Sequence, residues 1–488
     1  MASQNRSYDL AFYVRGLLGM IAMCVCMKLT GGTAFLAIFV LALIAFSKNS
    51  IEMLLYLLLM TAFLTNTNAY IAPKGFSFSI VARLLYLLVG SVMMLQLTAQ
   101  RASKQMTPVL SLFLYLAYSA IISFVGFNPL ISYLKLILFS IIFLAMYSVG
   151  NAAITKRSVS PAKLRSVFLC MATFLIIGSV AVIPFPAIGM MGAQKMLEQK
   201  GFIDGGLFQG ITIQSQCLGP SVAMLAVVLL ADLLFSVRRW DKLYLLLLVC
   251  TPVLIYKTGS RTALGTFIVG LACVVFFFIN ARGLGARWKN RATSALMVLF
   301  ILGGCVLFMT PQIRNQVISF LYKTGGREVA EEKQTFSNFV SSRQRLMDNA
   351  MSNFRNSPWI GNGFQVSDAQ QNIEIYSWKQ LLSAPIEKGV WLTAILEEGG
   401  GIGMGVFIFV LLITFYGLLS HQSYIGASAL IVFLASNLGE FTFFSMSYTG
   451  GVMWSLTFTG IALDAQRKKS QGIEKAQSGS LSPAPYYM

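Results

Sequence analysis

Three arginines are the residues of this chain best suited to chemistry. Arg261 follows a serine in "KTGSRTALG", residues 257–265, and Arg343 and Arg345 lie in "SSRQRLMDNAMSNFRNSPWIGNGF", residues 341–364. Ser260 is predicted to cap the span that Arg261 opens. Ser341 or Ser342 is predicted to cap a helix over 342–356, with Arg343 and Arg345 in its first turn. A cation there opposes the helix macrodipole by about 0.3–1 kcal/mol, so it is a poor choice for stability. It is a good choice for holding an anion. Free backbone N–H groups at a helix start favour phosphate, and guanidinium adds paired donors that match its oxygens.

Further cations share that predicted face. Arg83 and Lys135 lie near the ends of apolar spans, where an ionisable residue points to function, and Lys257 belongs to the Arg261 stretch. Each has a plainer reading. The three arginines could meet anionic lipid heads or loop carboxylates such as Glu331 and Glu332, and Arg83 and Lys135 could snorkel, as Arg15 does. In the 342–356 helix, Leu346, Met347, Ala350, Met351 and Phe354 recur at spacings of three and four. They form one apolar stripe, facing lipid or the bundle. Pro358 and Gly361-Asn362-Gly363 end that helix, and Arg355 suits the dipole at its end.

The elements that must position these groups are membrane helices. Of 488 residues, 56% are hydrophobic and 11% charged, against about 25% charged in an ordinary soluble domain. Apolar runs approaching the ~20 residues that cross a bilayer recur along the chain, and in lipid such runs must be helical. Candidate spans lie near 10–27, 32–46, 51–65, 78–98, 108–125, 129–150, 166–186, 206–235, 243–256, 261–279, 294–311, 390–417, 424–438 and 450–464. The fold class is all-α and polytopic, with about 12–14 transmembrane helices. The first span lacks a small-residue cleavage site and is expected to stay.

The net charge of +19 would suggest nucleic acid in a soluble protein. Here it reports topology, because Lys and Arg concentrate in cytoplasmic loops. Loops on one side carry Lys48; Arg101 and Lys104; Lys156, Arg157, Lys163 and Arg165; Arg238, Arg239 and Lys242; and Arg282, Arg287, Lys289 and Arg291. The tail adds Arg467, Lys468, Lys469 and Lys475. Both termini are therefore expected in the cytoplasm, with no nucleic-acid partner. The chain divides into helices over 1–311, a large extracytoplasmic loop over 312–389 with amphipathic helix, further spans over 390–465, and a polar tail over 466–488 expected to be disordered.

Within 204–222, "DGGLFQGITIQSQCLGPSV", Gln209, Gln214, Ser215 and Gln216 interrupt a hydrophobic run. They read either as a cavity wall or re-entrant segment or as a loop ending near Gln216, where the helix starts. The seven cysteines fall in or beside apolar spans and read as small hydrophobes. No metal site or cofactor is expected.

Taken in order, these motifs resemble the O-antigen ligase and polysaccharide polymerase superfamily of bacterial inner membranes. The resemblance rests on "GSRTALG" (Ser260, Arg261), "SSRQRLMDNAM" (Arg343), "NSPWIGNGF" (Pro358, Gly361, Gly363) and "EKGVWLTAILEEGGGIG" (Glu397, Glu398, Gly400, Gly403), and is strongest over about 250–405. It implies a metal-independent glycosyltransferase that takes a glycan from undecaprenyl pyrophosphate to an acceptor hydroxyl on the periplasmic face. Membrane lipid, a flippase and chain-length or export proteins are the implied partners.

By that resemblance Arg261 and Arg343 would be catalytic, holding the pyrophosphate. Arg345, Arg83, Lys135 and Lys257 would bind substrate. Ligase members carry a His-Asn pair before the post-loop span. This chain has "SAPIEKGVWL" there, which favours polymerisation over ligation and makes Glu387 the candidate base, with a salt bridge to Lys388 as its plainer role. Glu397 and Glu398, further into the span, would orient the loop. The only histidine, His421, is expected on the opposite face. A lipid-linked oligosaccharide flippase is the rival from another class, although the internal repeat usual in transporters is not visible.

Overall fold

The computed structural model describes residues 8–30, 50–68, 70–71, 90–92, 102–156, 159–190, 208–235, 241–281, 336–366, 390–439, 441–445 and 448–479, with backbone alone for 281, 336–345 and 470–479. Among these the regular elements are helical. They are α1 Leu10–Thr30, α2 Ile51–Thr65, α3 Leu112–Val125 with a 3₁₀ lead-in Thr107–Ser111, α4 Pro129–Thr155, α5 Pro161–Ala181 and α6 Ser215–Phe235. There follow α7 Lys242–Thr258, α8 Arg261–Ala281, α9 Phe336–Asn356, α10 Trp391–Ser420, α11 Tyr424–Ser436 and α12 Tyr448–Gly479. Among the described residues, seven helices are long and apolar enough to cross a membrane, and α2 and α11 are shorter apolar helices. The protein is an all-α polytopic membrane protein. The candidate spans near 32–46 and 294–311, and most of 78–98, lie outside the described residues; the others fall on helices.

Helix α6 is the centre of one half of the bundle. It is buried nearly all round and packs on α5, α7, α8, α11 and α12. α3, α4 and α10 build the other half around an aromatic core. There Tyr115 stacks on Phe444 at 5.0 Å between centroids, and Phe143 meets the edge of Trp454 at 5.0 Å. Outward faces are apolar and exposed, as Leu10, Val14, Leu18, Ile21, Val25 and Leu29 are along α1, which is what a helix in lipid requires.

The bundle has two chemically distinct ends. At one, the Asp464 carboxylate on α12 accepts from the N–H of Ile425 (2.7 Å) and Gly426 (3.1 Å), so it caps α11 from another helix. Arg467 pairs with Asp464 at 3.3 Å and lies over the rings of Phe235 and Tyr424. Lys468 and Lys469 donate to the carbonyls of His421 and Ile154, at the ends of α10 and α4. Cations on C-terminal carbonyls are where the helix dipole favours them. Nearby, Arg165, Asp232 and Tyr244 join α5, α6 and α7, with the Tyr244 hydroxyl 2.6 Å from Asp232. Helix α12 runs on to Gly479, so residues 466–479 are helical where composition predicted disorder. Gln, Lys, Glu and Ala are good helix formers even without an apolar face.

The segment 208–222 resolves into two parts. Residues 208–214 are irregular but sheltered: Gln209 and Thr212 are buried, and Ile213 N–H donates to Asn66 O at 2.9 Å. The helix then starts at Ser215, rather than at 206 as the apolar run suggests. Irregular backbone at this depth is tolerated because protein covers it.

Candidate functional site

The Arg261 end is assembled from loops and helix starts. α7 ends at Gly259, whose φ of 61° is the left-handed conformation that suits glycine. One residue later Ser260 caps α8, its Oγ accepting from Ala263 N–H at 3.2 Å. Arg261 is thus the first residue of α8, as the sequence predicts, and is half-buried. The start of α6 stands beside it, since a Cβ on Gly219 would lie 3.0 Å from that of Ser260. The end of α11 also reaches this corner, because a Cβ on Gly439 would lie 2.0 Å from Thr262 Oγ1. α10 starts at the same end, where Trp391 N–H donates to Asn437 O at 3.0 Å. Lys257, exposed, is in the last turn of α7.

Helix α9 joins this end through α10. Asn353 Nδ2 donates to Glu397 Oε1 at 2.7 Å, and both residues are buried. Ala350 is buried and Leu346, Met347, Met351 and Phe354 half-buried, so the apolar stripe serves packing on the bundle. One prediction needs correction. α9 begins at Phe336, not at 342, and Arg343 and Arg345 lie in its middle turns. Arg261 therefore stands at a helix N-terminus, and Arg343 and Arg345 do not. Ser341 and Ser342 are interior residues, not caps.

The turn that follows α9 is built into α10. Gly400, with φ 64° and ψ −168°, interrupts that helix. An unbroken helix would pair Gly401 N–H with Glu397 O and Ile402 N–H with Glu398 O. Instead Glu397 O accepts from Asn362 N–H (2.9 Å) and Glu398 O from Gly363 N–H (3.0 Å). Gly401 N–H donates to Pro358 O (2.8 Å) and Ile402 N–H to Trp359 O (3.1 Å). These four polar groups freed by the break are repaired by Pro358–Gly363, which is what burial demands of them. Tyr118 adds a hydrogen bond to Gly399 O at 2.7 Å.

The far side of the turn is held as firmly. Phe127 N–H donates to Asn362 O (3.1 Å), Ser132 Oγ to Phe364 O (2.8 Å) and Gln365 Nε2 to Phe444 O (2.6 Å). Lys135 is buried and donates to Gln365 O at 3.0 Å. Gln365 has a φ of 53°, strained for a residue with a side chain. Sequence reasoning missed Asn353, Gly126 and the service of Lys135 to the turn, since each acts on a partner far along the chain. Arg83 and Glu387 lie outside the described residues. His421 caps the end of α10 at the Asp464 end, opposite to Arg261.

A helical bundle in which the turn after α9 is sewn into a broken helix, at the end that carries a capped helix start bearing an arginine, is a polytopic membrane protein. Residues 244–388 match the family model described as O-Antigen ligase. That match spans the segment from α7 into the loop; it supports the resemblance to the O-antigen ligase and polysaccharide polymerase superfamily and glycan processing of that type. Comparison with curated proteins gives no match.

Proposed function

We propose that the protein is a polysaccharide polymerase of the bacterial inner membrane. It transfers glycan repeat units from undecaprenyl pyrophosphate to an acceptor sugar hydroxyl. The observation that carries this reading is Arg261 at the first position of α8, where guanidinium, capped helix start and macrodipole coincide. The Arg261 end is the periplasmic face in this reading. The cation-rich Asp464 end faces the cytosol, together with both termini, in keeping with the charge rule for loops.

Arg261, Arg343 and Arg345 hold the donor's pyrophosphate, and no metal is required. Lys257 stands at the same corner and extends the positive field. Lys135 contributes by holding Gln365 in place. The acceptor oxygen attacks the anomeric carbon, the bond from that carbon to the pyrophosphate oxygen breaks, and pyrophosphate leaves with the electron pair. The configuration inverts. Glu387 takes the hydroxyl proton as general base. Electrostatic stabilisation of the leaving group is the largest contribution, and removing one such donor costs about 10²–10³ in rate. His421 at the far end cannot supply the histidine of ligases, which favours polymerisation.

The test uses purified protein in detergent with a lipid-linked repeat unit. Chains lengthening on the polyprenyl carrier are expected. Transfer only to a separate lipid acceptor would make the protein a ligase. No covalent product, with donor movement across vesicle membranes, would make it a flippase.

A further inference from the structure

Helix α10 is not one straight rod: its first segment folds back along the second, with the Trp391 and Phe407 ring centroids 5.6 Å apart. Gly400 divides it. Residues 401–420 beyond the break extend for about 30 Å, one hydrocarbon thickness. Along them Ile402, Phe409, Leu412 and Tyr416 are exposed on one stripe.

Helix α3 gives the same level independently. Near the Asp464 end a Cβ on Gly417 would lie 2.3 Å from Pro108 Cγ, and at the other end a Cβ on Gly126 would lie 2.4 Å from Asn362 O. The two helices thus share both levels, and Gly126, Asn362 and Gly400 mark one membrane boundary. Trp359 sits at it, 73% exposed, with Ile360 43% exposed. The Trp359 carbonyl receives the N–H of Ile402, the head of the lipid-facing stripe.

An apolar ring with one polar N–H belongs at headgroup level. Tyr416, 77% exposed lower on the same stripe, is its counterpart toward the other boundary. We propose that Trp359 and Ile360 anchor the turn in the lipid headgroup region, and so fix the height of the loop that carries α9. A platform for stacking sugar rings is the other use of an exposed tryptophan, and it needs polar neighbours for the hydroxyls. Ile360 beside the ring and Ile402, which donates to the Trp359 carbonyl, are exposed and apolar, while Arg355 and Asn356 are exposed four and three residues earlier, so the test includes a sugar arm. The anchor requires only the membrane reading, so its failure leaves the glycan chemistry standing.

The full chain is reconstituted in phosphatidylcholine vesicles brominated either near the glycerol end or at the acyl terminus. The chain has six tryptophans, so subtracting the emission of Trp359→Phe from wild type isolates Trp359. Trp359→Tyr serves the same subtraction if the first variant does not fold. The expected component is blue-shifted from aqueous tryptophan, lost with bromine near the glycerol and retained with bromine at the chain ends. A component quenched by aqueous iodide and by neither lipid overturns the anchor, as does one shielded from every quencher. A component that shifts when soluble acceptor glycan is added assigns the ring to sugar instead.

Discussion

Gly361 and Gly400 approach so closely that neither has room for a side chain. A Cβ on Gly361 would lie 2.5 Å from Gly400 N and 2.4 Å from Glu398 O, and one on Gly400 would lie 2.4 Å from the Trp359 carbonyl carbon. Both have positive φ, 75° and 64°. The contact joins the turn after α9 to α10 by backbone alone.

Gly361→Ala and Gly400→Ala should each destabilise the protein by more than the ~1–3 kcal/mol that a left-handed backbone costs a residue with a side chain. Gly405→Ala is the control on the same helix, because nothing lies within 4 Å of its added methyl. It should be neutral or stabilising by up to about 1 kcal/mol. Thermal unfolding in detergent compares the three.

Asn353→Ala removes a donor from the buried Glu397 carboxylate, at a cost of about 1–3 kcal/mol. The loss should be local. Limited proteolysis should open sites in 336–366 before global unfolding begins. Asn353→Asp brings a second carboxylate to the 2.7 Å contact and should open them further.

Lys135→Met keeps the stem and deletes the ammonium that Gln365 O accepts from. Glycan transfer should fall while affinity for undecaprenyl pyrophosphate stays near wild type. An equal fall in both would return Lys135 to the pyrophosphate itself.

Asp464→Ala uncaps α11 and leaves Arg467 without its carboxylate. A lost cap alone costs about 1 kcal/mol. Asp464→Asn, which keeps an acceptor oxygen for Ile425 and Gly426, should be milder. Donor affinity should be unchanged in both folded variants, because the site is at the other end.

What could be read from the sequence was local. The Ser260 cap and the start of α8 follow from neighbouring residues, and the spans follow from apolar runs. The start of α9 was misplaced because Ser341-Ser342 has the composition of a cap. The apolar stripe in fact continues upstream through Phe336, Phe339 and Val340, a signal that the charged flank at 327–333 obscured. The break at Gly400 was hidden for a different reason. It is stable only because Pro358–Gly363, some forty residues earlier, supplies its hydrogen bonds, and no local pattern records that pairing. The helix through Gly479 has no apolar stripe of its own, so composition read it as tail.

The central claim is that guanidinium at the Arg261 end holds the donor's pyrophosphate. Single-turnover transfer by purified Arg261→Ala and Arg343→Ala, at saturating acceptor, tests it most directly. Each variant should be folded and slowed by about 10²–10³, and Arg261→Lys should not restore the rate because an ammonium lacks the paired donors. Transfer within a few-fold of wild type from either alanine variant would contradict the account.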